Sequence, residues 1–278
     1  MGDSTERKRL TRREALALMG GAAGAAAIAA TVGCSSDSSS PSATAASKSA
    51  GASASATVSP LSATSTAAAT SAAAETTAPA VACVVTPAET EGPYFVDEKL
   101  NRSDIRSDPA TGAVKEGVPL ELTLFVSQVG AGGCTPLAGA LVDIWHCDAL
   151  GVYSDVANGA GQTSTSGQKF LRGYQTTDAN GQVKFQTIFP GWYMGRTVHI
   201  HFKARGTNPA SARGFEFTSQ LFFDEAVTSA VFAQAPYSSK GPQDTTNARD
   251  NIFSPDLVLP VTPAGNGYAG TYHVGVSL

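Results

Sequence analysis

The N-terminal part of the chain lacks aromatic residues. Residues 1–79 of the 278-residue sequence contain no Trp, Tyr, Phe or His, and the first aromatic residue is Tyr94. Ala, Ser, Thr and Gly make up most of this segment. Without large apolar side chains it cannot bury enough surface to offset the entropy cost of ordering the chain. The folded domain is therefore expected at residues 80–278, which is long enough for one substantial core.

Charge and hydropathy argue against nucleic-acid binding and against a membrane-spanning helix. The net charge is −4 and no basic run follows the N-terminus, so nothing supports nucleic-acid binding. Beyond the N-terminal segment, no apolar run is long and uninterrupted enough to predict a membrane span. We therefore expect no nucleic-acid partner and no transmembrane helix in the folded domain.

Residues 1–33 have the features of an export signal. Basic residues at 7–9 and the pair Arg12 and Arg13 precede a weakly apolar, Ala/Gly-rich stretch that runs to about residue 32. This order is typical of a twin-arginine export signal. The alternative is a basic surface helix, which the glycines at 20, 21 and 24 disfavour.

The segment Thr31-Val32-Gly33-Cys34 resembles a lipoprotein cleavage box, with Thr31 where Leu is more usual. It predicts that Cys34 becomes a lipidated N-terminus and that residues 34–79 are a flexible Ser/Thr/Ala-rich tether. The protein is then an exported cell-surface lipoprotein or a secreted protein. A lipid anchor at Cys34 would be its membrane attachment.

Three cysteines lie in the part expected to fold: Cys83, Cys134 and Cys147. An exported protein meets an oxidising compartment, so one disulfide with one thiol left over is expected. The sequence leaves the choice of pair open. No two cysteines have zinc-finger spacing, which argues against cysteine-ligated zinc.

Short alternating segments predict an all-β fold. Residues 120–126 alternate between apolar and other side chains with the period of a strand. Further β-rich runs lie at 139–145, 170–177, 182–189, 196–205, 217–223, 257–261 and 268–276. The turn at 178–181 predicts a hairpin, and 224–234 predicts a short helix. We expect a sandwich or barrel, and favour a β-sandwich of short, mostly antiparallel strands with long functional loops.

The pair His199 and His201 indicates metal chemistry. On a strand, residues two apart share a face, so both imidazoles can reach one metal ion. A pair of surface or core histidines is the alternative interpretation. A two-histidine site needs further ligands, and no carboxylate lies near this strand before Glu216. The phenols of Tyr193 and Tyr153 are nearby in sequence, and phenolate is a hard anionic donor that favours ferric iron.

Four segments, in order, resemble the intradiol ring-cleavage dioxygenases. Residues 141–153 (LVDIWHCDALGVY) are similar to the signature segment of that family, and PGWY at 190–193, with Arg196 and the histidine pair, to its second metal segment. Residues 86–94 (TPAETEGPY) and 218–223 (TSQLFF) resemble its N-terminal stretch and a later strand. Together the four cover most of residues 83–224.

The resemblance implies a non-haem Fe(III) cofactor. Tyr153 is similar to the tyrosinate that stays on iron, and Tyr193 to the one that substrate displaces. His199 and His201 match the two histidine ligands. Arg196 matches the arginine that steadies negative charge developing on the substrate.

Gln220 matches a polar residue near the oxygen-reaction pocket, and Trp145 and Tyr94 are expected to line the substrate cavity. The alternatives are that Trp145 fills the sandwich core, that Gln220 is an ordinary strand residue, and that Arg196 pairs with a surface carboxylate. The residues expected to be structural are His146, His273 and Asp143.

The implied reaction opens a small aromatic diol with dioxygen to a muconate-type diacid. Two departures from cytosolic members concern substrate and assembly. Tyr193 and His199 are only six positions apart, which predicts a more open pocket, and no long helical segment precedes the catalytic region. The family resemblance therefore implies no oligomeric state. The rival hypotheses are an exported non-catalytic β-sandwich that binds a carbohydrate or surface partner, and an enzyme with copper or zinc in the two-histidine site.

Overall fold

The fold is described from a computed structural model, which covers residues 83–157 and 164–278. The predicted export signal, the tether and Cys34 lie outside these residues. Within the described ranges no helix has the length and apolarity needed to cross a bilayer.

Two β-sheets face each other. The strands are β1 Pro119–Gly130, β2 Gly133–Pro136, β3 Leu141–Trp145, β4 Arg172–Thr176, β5 Gln182–Ile188, β6 His199–Thr207, β7 Gly214–Phe222, β8 Val261–Ala264 and β9 Gly267–Val276. One sheet has the order β4-β3-β6-β7 and is antiparallel throughout. In the other, β1 pairs with β2 and β5 on one side and with β9 on the other, followed by β8. Only the β1–β9 pair is parallel among these strands, so the predicted β-sandwich is confirmed.

The core lies between the sheets. The alternation predicted for 120–126 is observed, because Leu120, Leu122, Leu124 and Val126 all point inward and are buried. Ile144, Ile200 and Phe202 are among the buried residues of the other sheet. Each such side chain contributes about 1.5–3 kcal/mol by leaving water. The predicted helix forms as α1, Glu225–Phe232, and Asp224 caps it by accepting from the backbone of Ala226 and Val227.

The prediction of a hairpin around residues 178–181 is wrong. The turn does form, with the Asp178 nitrogen donating to Gln182 O at 3.0 Å and Gly181 at φ 73°. The flanking strands part, however, because β4 pairs with β3 and β5 pairs with β1. A local turn signal specifies a chain reversal, whereas the pairing partner depends on which apolar face each strand must bury.

A segment that we call the N-terminal strap, residues 83–104, crosses the outer face of the β4-β3-β6-β7 sheet. The Cys83–Cys134 disulfide joins its first residue to β2. The Glu89 nitrogen then donates to Thr218 O on β7 at 3.0 Å, and the Arg102 nitrogen donates to Tyr174 O on β4 at 3.1 Å. The disulfide resolves the open choice among the three cysteines, since Cys147 is a free, buried thiol.

Candidate metal centre and active site

Strand β6 carries the site on its outer face. Ile200 and Phe202 point into the core, so His199 and His201 point to the opposite face. In the sheet register, Trp145 of β3 and Gln220 of β7 lie directly opposite His201, one on each side. Directly opposed residues share a face, and the three side chains therefore meet beneath the strap.

The four predicted metal ligands lie together. The Tyr193 hydroxyl is 3.2 Å from His199 Nε2, which is 3.1 Å from His201 Nε2. Tyr153 is completely buried, and its ring centroid lies 5.6 Å from that of Tyr193 and 6.4 Å from that of His201. The two phenols are hydrogen-bonded to each other.

Both histidines are neutral and suited to metal binding. His199 Nδ1 donates to the Thr197 carbonyl at 2.6 Å, so the lone pair of this imidazole is on Nε2. Burial lowers the pKa of His199 to about 3 and holds the pKa of His201 well below its usual value. Nδ1 of His201 is buried and has no hydrogen-bond partner among the described residues.

The two phenols are held in the protonated form. Burial is the main cause that raises the pKa of Tyr153 and Tyr193 above the usual value for phenols. Metal binding to such groups releases a proton for each phenolate formed. Two neutral imidazoles and two phenols are a donor set that fits Fe(III), because anionic oxygen ligands stabilise the ferric state. The described residues contain no cluster of three or more His, Cys, Asp or Glu suited to a metal.

Close backbone contact aligns the loops that carry the two tyrosines. Gly151 has φ 82°, and a Cβ there would lie 2.1 Å from Trp192 O. A Cβ on Gly191 would lie 2.4 Å from Ala149 O. Lys240 joins the loops from outside, since its Nζ donates to Leu150 O at 2.6 Å and to Trp192 O at 2.5 Å. No motif indicated Lys240, because its role depends on carbonyls distant in sequence.

Aromatic side chains enclose the donors. Tyr94 of the strap stacks on Tyr153 at 4.5 Å, and Phe95 packs against Trp145 at 4.8 Å between ring centroids. Trp145 stacks on His201 at 4.9 Å with 5° between the planes. Trp145 is only 1% exposed, but it belongs to a separate cluster with Cys147 and Tyr153 rather than to the core between the sheets.

Arg196 is held at the edge of the site by two polar contacts. Its Nε donates to Asp250 Oδ2 at 2.8 Å, and its Nη2 donates to Gln220 Oε1 at 2.6 Å. Gln220 Nε2 in turn donates to Thr90 O of the strap at 2.9 Å. The carboxylate partner of Arg196 is therefore a buried residue of the site region rather than a surface group, and the sequence did not indicate it.

The comparisons with known proteins agree with this architecture. The family model described as Dioxygenase (Dioxygenase_C) matches residues 90–240, more than half of the chain. A solved intradiol ring-cleavage dioxygenase from Tetranychus urticae is 29% identical with a TM-score of 0.60, over 70% of this chain and 95% of that chain. The chain belongs to the intradiol ring-cleavage dioxygenase family.

Curated relatives of this chain are matched over part of their length. Catechol 1,2-dioxygenase 1 of Acinetobacter lwoffii is 30% identical over an alignment of 140 residues, and the match covers 42% of this chain and 41% of that protein. The protocatechuate 3,4-dioxygenase beta chain of Burkholderia cepacia is 31% identical over an alignment of 140 residues, and the match covers 47% of this chain and 56% of that protein. The chain thus spans about half the length of these relatives.

Three polar residues of the dioxygenase fold that were expected to be structural lie in structural settings. His146 Nδ1 contacts Cys147 O at 2.8 Å and its Nε2 contacts Thr187 Oγ1 at 2.7 Å. His273 stacks on Phe125 at 4.9 Å. Asp143 forms an ion pair with Arg205 at 2.9 Å, and burial raises its pKa to about 6.

Proposed function

We propose that this chain is an Fe(III)-dependent intradiol dioxygenase that opens catechol-type rings with dioxygen to muconate-type diacids. The observation that carries the proposal is the position of His199 Nε2, which lies within 3.2 Å of both the Tyr193 hydroxyl and His201 Nε2, beside Tyr153. Tyr153, Tyr193, His199 and His201 would hold Fe(III), which when bound would supply an electrophilic cation that makes the diol reactive toward dioxygen.

Burial supports different roles for the two tyrosines. Tyr153 is fully enclosed and stacked beneath Tyr94, so it is suited to remain a ligand throughout the reaction. Tyr193 is half-buried at the start of a tight turn and forms a β-bridge with Arg196. Its phenolate, the form that would bind a metal, is suited to accept one of the diol protons, because burial raises the pKa of Tyr193 and so favours the protonated form.

Arg196 supplies a fixed positive charge beside the ligands. A preorganised cation stabilises negative charge that develops on the substrate without having to reorient during the reaction. Gln220 holds Nη2 of Arg196 and so takes part in the same arrangement. Trp145 and Tyr94 would exclude water and line the ring pocket, which strengthens the electrostatic effect of Arg196.

The short link between Tyr193 and His199 supports a site with an open mouth. Met194, at the tip of the turn, is 71% exposed, and Gly195 beside it is exposed as well. We propose that catechols with substituents are accepted as well as small ones. Initial rates with a panel of ring-substituted catechols would test this, and activity confined to unsubstituted catechol would contradict it.

Export by the twin-arginine route and lipidation of Cys34 are proposed from the sequence of residues 1–34. The Cys83–Cys134 disulfide supports an oxidising location. Mass spectrometry of the N-terminal peptide of the exported protein distinguishes a lipidated Cys34 from an unmodified one.

Purified full-length protein tests the proposed reaction. We expect bound iron, a visible tyrosinate-to-iron band that changes when catechol is added, and both atoms of labelled dioxygen in the ring-opened product. Tyr153→Phe should weaken and shift the band by removing one of its two phenolates, whereas Tyr174→Phe, which alters a phenol outside the site, should leave it unchanged. Full activity without iron would contradict the proposal, and bound copper or zinc in an active protein would favour the rival metalloenzyme.

A further inference from the structure

Arg196 contacts a carboxylate that lies far from its own motif. Its Nε donates to Asp250 Oδ2 at 2.8 Å across 54 sequence positions. The Asp250 side chain is fully buried, and the residue lies beyond the segment that the family model matches. The contact engages Nε, while Gln220 engages Nη2, and Nη1 takes part in neither hydrogen bond.

The carboxylate of Asp250 is itself rigidly held. Oδ2 also accepts from the Thr197 nitrogen at 2.9 Å, and Oδ1 accepts from the Ile252 nitrogen at 2.9 Å. The Thr197 carbonyl is the group to which His199 Nδ1 donates. One buried carboxylate therefore contacts both the arginine and the backbone that orients a histidine ligand.

We infer that Asp250 is a positioning residue that aims the Arg196 guanidinium at the substrate. Two hydrogen bonds at different nitrogens define the plane of a guanidinium. Because the group is planar and rigid, the direction of Nη1, which takes part in neither bond, is then fixed as well. The inference rests on the proposed function for its kinetic consequence. The orientation of Arg196 can also be measured without turnover.

Asp250→Asn is the decisive substitution because it keeps the shape of the side chain. Three N–H groups surround the carboxylate, and an amide places its own NH₂ against at least one of them. We expect kcat to fall about tenfold or more with less than about a threefold change in KM, and the iron-tyrosinate band to remain. Asp256→Asn is the matched control, since Asp256 is an exposed carboxylate, and it should behave as wild type.

A double-mutant cycle separates positioning from a structural role. If Asp250 acts through Arg196, then Asp250→Asn should change kcat by less than about twofold in an Arg196→Gln background. An equal loss in both backgrounds would overturn the inference, as would wild-type kinetics for Asp250→Asn alone.

Chemical modification of the arginine provides a readout that is independent of activity. Phenylglyoxal labelling of Arg196, followed by peptide mass spectrometry, should be about fivefold faster or more in Asp250→Asn than in wild type or Asp256→Asn, because a neutral amide in either orientation holds the guanidinium less tightly than the carboxylate does. Unchanged labelling overturns the inference. A wild-type protein that cleaves no catechol would refute the proposed function, while the labelling result would still decide the role of Asp250.

Discussion

His199 shows how a backbone contact determines what a side chain can bind. Its Nδ1 is occupied by the Thr197 carbonyl, so Nε2 presents a lone pair toward Tyr193 and His201. Burial prevents protonation of the imidazole near neutral pH. A strand alone would place the two histidines on one face, but the tautomer depends on this carbonyl.

Arg196 should be dispensable for iron binding and important for turnover. Arg196→Gln removes a charge that lies beside the ligands without removing any of the four proposed donors. We expect the visible band to be retained and kcat to fall about 100-fold, the usual cost of losing one preorganised electrostatic contact. Steady-state kinetics and the absorption spectrum measure both. Arg213→Gln, at an exposed position, is the control, and a colourless Arg196→Gln protein would show that the arginine has a structural role instead.

Among the elements, the strap contributes most to closing the site. Beyond its aromatic contacts, its Glu91 forms an ion pair with Lys203, a buried residue on the same face of β6 as His201. Lys203 also pairs with Glu216 at 2.8 Å and lies 4.1 Å from the centroid of the Phe95 ring. Lys203 is the buried member of both pairs, whereas the two glutamates are partly exposed, so Glu91 supplies one of two countercharges to a desolvated ammonium and ties the strap to β6.

Glycine at position 92 allows the strap to approach His201. Gly92 has φ 70°, and a Cβ there would lie 3.3 Å from His201 Cε1. Gly112 has φ 73° and no atom within 4 Å of an added Cβ, which makes it the matched control. Both alanine variants should lose about 1 kcal/mol of unfolding free energy through left-handed strain.

Only Gly92→Ala should also weaken the iron-tyrosinate band and lower kcat, because its Cβ presses on the imidazole. Denaturant unfolding and the absorption spectrum of the two variants distinguish these effects. Equal spectra for both variants would mean that the contact between strap and histidine has no influence on the metal centre.

The Cys83–Cys134 disulfide should stabilise the N-terminal strap, which covers the site. Cys83 and Cys134 are 51 positions apart, and closing a loop of that length stabilises the folded state by about 4 kcal/mol in the chain-entropy account. We expect the free energy of unfolding of the Cys83→Ala, Cys134→Ala double variant, measured with urea, to be lower by about 4 kcal/mol. Reductant should reproduce the loss in wild type and add nothing in the double variant; a reductant effect in both would point to another cause.

For the whole molecule, buried neutral histidines predict loss of stability in acid. Burial lowers the pKa of His146 to about 4 and that of His199 to about 3, below the ordinary value of 6.5. Between these values the unfolded chain binds protons that the folded chain cannot, so the stabilisation is complete above pH 6.5 and is lost as pH falls. Each imidazole contributes about 1.4 kcal/mol per pH unit within its window.

Asp143 acts in the opposite direction, because burial raises its pKa to about 6 and the folded state binds its proton first. The effect of Asp143 cancels that of one of the two histidines, so the free energy of unfolding still decreases as the pH falls, because of the other histidine. Urea unfolding of the iron-free protein from about pH 7 to about pH 4.5 measures it, and His146→Gln should flatten the curve. A stability that is constant over this range would contradict the burial of neutral imidazoles.

Local pattern was sufficient for the all-β class of the fold, the inward alternation of 120–126 and the shared face of His199 and His201, but not for β2 or for the bounds of β8, because a strand expected at 257–261 begins only at Val261. The correct predictions depend on the two-residue period of an extended chain, which neighbouring residues determine. Pattern was not sufficient for the separation of β4 from β5, for the Cys83–Cys134 pair or for Asp250 as the partner of Arg196. Each of these joins residues that are distant in sequence, and their choice follows from how two sheets and a strap bury their apolar faces together.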